Sequence, residues 1–346
     1  MKRNYGIDLL RIISTYGIII AHILGWGGVI ESLEPNSMKY VIIWTLELMV
    51  VASINCYALI SGYVGVESKY KVENIVLLLV RTIFHTLMIT LFFFFYLPGT
   101  VSVIDWKNAL FPIMSNQYWY LNAYVGLFIF IPVLNTFVNS NYKYSNIVNF
   151  VLLFVFSLYA TISVDDLFFT NKGYSIIWLM ILYIIGGMMK KANREYKKVY
   201  AIVIYILSLS IGVACIYFWG LQDKVRCFQS PILVATSLCL MILFTSMKIG
   251  DRFAKVIKIL SPTTFFIYII HVNPFIWNLY IHNRFAFLAQ MSGIKMMAAI
   301  LVIALGIFVA CFVLDKIRAA LFALFKIDEK IIRICNIIKT RGVIHE

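Results

Sequence analysis

Residues 6–28 read GIDLLRIISTYGIIIAHILGWGG. A membrane-spanning helix needs about 20 largely apolar residues, and this run meets that length. Yet it carries Asp8, Arg11 and His22, and ionisable groups inside a span are costly enough to mark a functional site. At about 100° per residue, Asp8 and Arg11 are about 300° apart, and Arg11 and His22 return to within about 20° after full turns. All three share one stripe, with Arg11 and His22 roughly 16 Å apart along the axis. The stripe predicts a polar lining that faces protein or water instead of lipid. An arginine near a helix start also serves as a head-group anchor, and a lone histidine as a bonded partner of a neighbouring helix. Three ionisable groups on one face favour the lining.

Outward from this run the chain stays apolar. Of its 346 residues 62 % are hydrophobic and 13 % charged, with a mean hydropathy of +0.88. The expected fold is all-α, a polytopic transmembrane helix bundle of about ten spans. The spans lie at about 6–28, 40–63, 74–97, 118–137, 146–164, 174–190, 199–219, 231–248, 257–281 and 296–320. Residues 1–323 read as one integral membrane domain and 324–346 as an amphipathic cytoplasmic tail. The net charge of +14 would suggest a nucleic-acid partner in a soluble protein; here the positive residues sit in short connections beside spans, the pattern of retention on the cytoplasmic side. With the N-terminus inside, 22 of the 30 Lys and Arg fall on the inner side and 7 on the outer, with Arg81 within a span. That bias predicts both termini in the cytoplasm and an even number of spans. The six cysteines form no CxxC pair, so neither a disulfide framework nor a metal site is expected.

Several candidate site residues stand out. Glu47 lies roughly 10 Å in from the outer end of span two, at a depth where it could meet His22 and orient or strengthen that imidazole. Small residues such as Ser53, Ser61, Gly62 and Gly65 follow, suited to close helix contact. Arg81 and His85 share one face of span three, where an arginine fork suits a phosphate or carboxylate. Tyr118, Trp119 and Asn122 make an aromatic-amide cluster at the mouth of span four, which suits a sugar ring and equally an interfacial belt. Spans five to eight carry almost no internal charge and read as scaffold. In span nine, His271 and Asn273 precede Pro274, whose freed backbone carbonyl favours a lined cavity.

These pieces together resemble the acyltransferase 3 family of membrane-bound acyltransferases, which includes O-acetyltransferases of bacterial surface and exopolysaccharides. The resemblance rests on D-x-x-R…(x10)…H in span one, ISGY at the end of span two, the span-three arginine, YW-Y-L…P-x-L-N around span four and S-P…F-x-x-Y-x-x-H in span nine. It implies a multi-pass protein of the bacterial cell membrane that moves an acetyl or short acyl group from acetyl-CoA, or another acyl-CoA, to a hydroxyl of a cell-surface glycan or its lipid-linked precursor. On that reading His22 is the general base, oriented by Glu47. Arg11 and Arg81, with His85 beside them, hold the donor. Tyr118, Trp119, Asn122, His271 and Asn273 meet the acceptor. Two departures matter. Many members carry R-x-x-R where Arg81 stands without a second arginine. The soluble hydrolase-like domain of some members is absent from this sequence, so a relay would need a partner among glycan-assembly proteins. The rival reading is a transporter or flippase for a lipid-linked sugar, which also uses many spans and broken helices. A purely structural membrane protein would leave the internal charges without a use.

Overall fold

The computed structural model describes residues 3–163 and 165–340, and among them the only regular structure is helical. Helix α1 (Tyr5–Leu24) runs through the middle of the bundle. In its most apolar stretch 72 % of residues are buried, against 11 % in the peripheral run Trp119–Ile162. Asn4 starts α1, its side chain accepting from the Gly6 and Ile7 amides at 3.0 and 3.3 Å; this satisfies two of the backbone donors that a helix start leaves open.

Around α1 stand α2 (Met38–Val51) and α3 (Ser53–Gly65), which meet at Ala52, then α4 (Val72–Tyr96), the short α5 (Val103–Leu110), α6 (Trp119–Asn141) and α7 (Ser145–Leu153). They are followed by α8 (Ile176–Ala192), α9 (Lys198–Trp219), α10 (Pro231–Thr245), α11 (Asp251–Leu260) and α12 (Thr264–His271). The last two are α13 (Gly293–Leu324) and α14 (Ile327–Thr340). The small residues of α3 do pack closely. A Cβ on Gly62 would lie 1.9 Å from the Tyr183 carbonyl oxygen, and one on Gly186 2.1 Å from that of Leu59. Helices α3 and α8 therefore touch backbone to backbone, the contact that small residues permit between membrane helices.

Among the described residues seven helical runs are long and apolar enough to cross a membrane, where the sequence leads us to expect ten crossings. The 44-residue run Trp119–Ile162 merges two of the expected segments, through a π-helical stretch at Phe154–Tyr159. The two other differences are of length: α8 has 17 residues and α10 has 15. The expected span at 257–281 is broken. Helix α12 stops at His271, because Pro274 lacks an N–H and disfavours helical geometry in the residue before it. Asn273 turns to an extended ψ of 133° and caps the next turn, accepting from the Phe275 amide at 3.1 Å.

The tail is also more engaged than its amphipathic pattern suggested. Lys326, at φ +50°, turns the chain between α13 and α14. Helix α14 lies back against α4, tied by Asp328 to Arg81 (2.7 Å) and by Lys339 to Glu73 (3.5 Å). Residues 341–346 of the expected tail lie outside the described residues.

Candidate active site

Two cavities of about 310 Å³ each open along α1, one near each end. The first belongs to Arg11. Asp8 fixes this arginine: its carboxylate accepts from Arg11 Nη1 at 3.3 Å, from Ser261 Oγ at 3.0 Å and from Arg3 Nε at 2.5 Å. The guanidinium lines the cavity with Ser61, Asn74, Tyr57, Tyr120 and Tyr124. A buried carboxylate holding an arginine beside a polar cavity leaves further N–H donors for an anionic ligand.

The second cavity belongs to His22. Its Nδ1 lies 3.0 Å from Nε2 of His271, brought in by α12 where that helix ends. His271 Nδ1 in turn sits 2.7 Å from the Ile267 carbonyl. A carbonyl only accepts, so His271 Nδ1 carries the proton and the Nε2 of the neutral ring accepts. His22 Nδ1 must then donate, and His22 Nε2 is left with a bare lone pair. Trp277 closes edge-on over His22, ring centres 5.0 Å apart. Trp119, Tyr268 and Asn278 complete much of the wall.

Between the cavities is a septum of tyrosines. Tyr57 and Tyr120 face the Arg11 cavity, and Tyr268 faces that of His22. The Tyr120 ring stands edge-on to both others, at 6.1 Å from Tyr57 and 6.2 Å from Tyr268. Tyr57 is hydrogen-bonded to Thr15, which lies between Arg11 and His22 on α1. The Tyr120 hydroxyl is buried without a hydrogen-bond partner among the described residues.

The other expected site residues are placed differently. Glu47 is fully buried, but its carboxylate pairs with Arg226 Nε at 2.7 Å and not with His22. A buried carboxylate needs a full positive charge close by, and a permanent guanidinium supplies it better than an imidazole. Arg226 reaches Glu47 across Gly25, where a Cβ would lie 2.2 Å from its Nη2. Arg81 is taken by Asp328 in a two-point contact, 2.7 and 3.3 Å. His85 Nε2 bonds Asp315 Oδ1 at 3.0 Å, and Asp315 also accepts from Arg318 at 2.8 Å, a buried cluster between α4 and α13. Neither Arg81 nor His85 lines either cavity. Tyr118 and Asn273 are buried and bonded to each other at 3.1 Å. Asn122 secures the loop before α6, donating to the Ile113 carbonyl and to Asn116. His271 is fully buried and meets His22 instead of an acceptor. Of the expected acceptor cluster, Trp119 alone lines the His22 cavity, stacked on Phe228 at 5.6 Å.

The family model described as an acyltransferase domain matches residues 4–316, nearly the whole chain. The chain belongs to the acyltransferase 3 family. No curated protein and no solved structure matches it. Tyr174 and Phe228 also line the His22 cavity and Arg226 lines the pocket beside it; none of them stands out in the sequence, because all three lie next to helices that read as scaffold. The signal in the sequence is the short run CFQS, 227–230, directly after the charged residues Lys224 and Arg226. Trp277 and Asn278 follow the Pro274 break by three and four positions, and that break was legible.

Proposed function

We propose that this acyltransferase moves an acetyl or short acyl group from acyl-CoA to a hydroxyl of a cell-surface glycan or its lipid-linked precursor, with His22 as general base. The observation that carries the reading is the hydrogen-bonded chain from the Ile267 carbonyl through His271 to His22. It supplies an unprotonated Nε2 beside a cavity walled by tryptophan and tyrosine, side chains that suit a sugar face. The acceptor oxygen attacks the thioester carbonyl carbon as its proton passes to His22 Nε2. Collapse then breaks the C–S bond, and the imidazolium returns the proton to the departing thiolate. The products are an O-acyl ester and free CoA thiol.

Arg11 receives the donor at the end of the bundle that carries the N-terminus, the cytoplasmic end by the charge bias. The roughly 16 Å between Arg11 and His22 suits an extended pantetheine arm, which must pass the tyrosine septum. Glu47, through its pair with Arg226, acts on the mouth of the His22 cavity and not on the imidazole. Trp119 supplies a stacking face for the acceptor.

Two cavities on either side of a septum also suit alternating access, so a flippase for a lipid-linked sugar is the second reading. One experiment separates them. Purified protein in detergent is given acetyl-CoA and glycan extracted from the producing cells. The enzyme reading expects release of CoA thiol coupled to ester formation and its loss in His22→Ala. No CoA release with acetyl, propionyl or butyryl donors, alongside movement of glycolipid across vesicles, overturns it.

A further inference from the structure

The His22 cavity does not end at His22. A second cavity of about 210 Å³ shares His22, Trp26, Tyr174 and Phe228 with it. A third, of about 320 Å³, shares Lys172, Asp223 and Cys227 with the second. The three form one groove that leads from the reactive histidine out between residues 160–163 and 165–173 on one side and the segment 222–230 on the other.

The outer part of the groove is built. Asp166 accepts from the Thr170 amide and hydroxyl, both at 2.9 Å, and from the Asn171 amide at 2.6 Å. The chain is thereby held with Phe169, Asn171 and Lys172 at φ of 52°, 46° and 54°. Left-handed residues other than glycine persist only where their surroundings enforce them. The Lys172 carbonyl accepts from the Phe228 amide at 3.0 Å, pinning the loop to the opposite wall. Gln229, 95 % buried, donates to the Ala160 carbonyl at 3.2 Å, while its Oε1 has no partner among the described residues. That oxygen belongs to a side chain lining the third cavity. Lys172 and Asp223 both stand at the junction of the second and third cavities and form no ion pair with each other.

The groove thus offers an ammonium donor and a carboxylate acceptor, with aromatic faces at its inner end. A phosphate would meet Asp223 with like charge. An alkyl chain would leave the Lys172 ammonium and the Asp223 carboxylate without a polar partner. Sugar hydroxyls, each both donor and acceptor, fit the whole set. Resting on the reading of His22 as an acyltransferase centre, we propose that the acceptor is an extended glycan whose further sugar residues occupy this groove, with Lys172 and Asp223 as an outer subsite.

The test uses the full-length protein in detergent, acetyl-CoA, and envelope glycan of the producing cells cleaved by mild acid and sized from single units to hexamers. Expected is a rise in kcat/KM of about tenfold or more between one unit and three or four, the worth of one or two good hydrogen bonds. Lys172→Met and Asp223→Ala should each erase most of that rise while leaving transfer to the single unit unchanged, which also certifies their folding. Transfer to all lengths with equal kcat/KM overturns the outer subsite alone. A length dependence that both variants retain overturns it too. Transfer to no fraction overturns the acyltransferase centre itself, and the subsite with it.

Discussion

His22 on α1 and His271 on α12 behave as one unit: the 3.0 Å bond between them makes the buried ring set the tautomer of the ring that lines the cavity. Catalysis should therefore depend on both residues in different ways. His22→Ala should lower kcat by about 10²- to 10⁴-fold, the usual worth of a positioned base. His271→Leu should cost at least about tenfold in kcat with the acetyl-CoA KM unchanged, because His22 then samples the tautomer whose Nε2 carries a proton. His271→Gln, which retains an acceptor, should recover part of the loss. Equal activity of His271→Leu and the parent would remove His271 from the unit.

The arginines divide between ligand and scaffold. Arg11→Ala should raise the acetyl-CoA KM roughly 10- to 100-fold, the loss of a charged hydrogen bond. Arg81→Ala should leave that KM alone and instead loosen α14, as should Asp328→Asn, seen as faster hydrogen exchange across residues 327–340. A rise in KM for Arg81→Ala without change in exchange would return Arg81 to the donor site.

For Glu47, breaking the pair should cost more than deleting it. Arg226→Ala leaves a fully buried carboxylate unpaired and should destabilise by about 3 kcal/mol, the lower end for buried pairs, since the arginine side chain is 37 % exposed. Glu47→Gln combined with Arg226→Met should be more stable than Arg226→Ala in thermal unfolding in detergent. If both variants melt together with the parent, the pair has no structural weight.

The septum makes a paired prediction. Tyr120→Phe removes a hydroxyl that has no partner among the described residues, so stability should hold or rise by about 1 kcal/mol with transfer intact. Tyr120→Ala should open the two cavities to each other and raise acetyl-CoA hydrolysis in the absence of acceptor. Hydrolysis that stays at the parent level in Tyr120→Ala would mean that Tyr120 does not separate donor from water.

Much of this was legible in the chain. The stripe of Asp8, Arg11 and His22 gave both ends of α1 their polar roles, and Pro274 announced the break after His271. The partners were harder to read. Glu47 and His22 have compatible depths, so pairing them followed from one-dimensional reasoning; the structure sends Glu47 to Arg226, a loop residue 179 positions away in the chain. Tyr118, Asn122 and Asn273 have the side chains of a sugar site, but hydrogen-bond needs inside the bundle consume them. Helical period reports which face of a helix is polar. It does not report which of several distant polar groups will satisfy it.

The clasp of Arg81 by Asp328 has a consequence for biogenesis. Helix α4 enters the membrane when the partner carboxylate is still nearly 250 residues from being synthesised, and the same delay separates His85 from Asp315. Until α14 has been synthesised, the α4 arginine must be tolerated by lipid head groups and water. A chain cut short before α14 would keep an unneutralised cation on a membrane helix. Helix α14 thus retires a charge that the membrane has carried since α4.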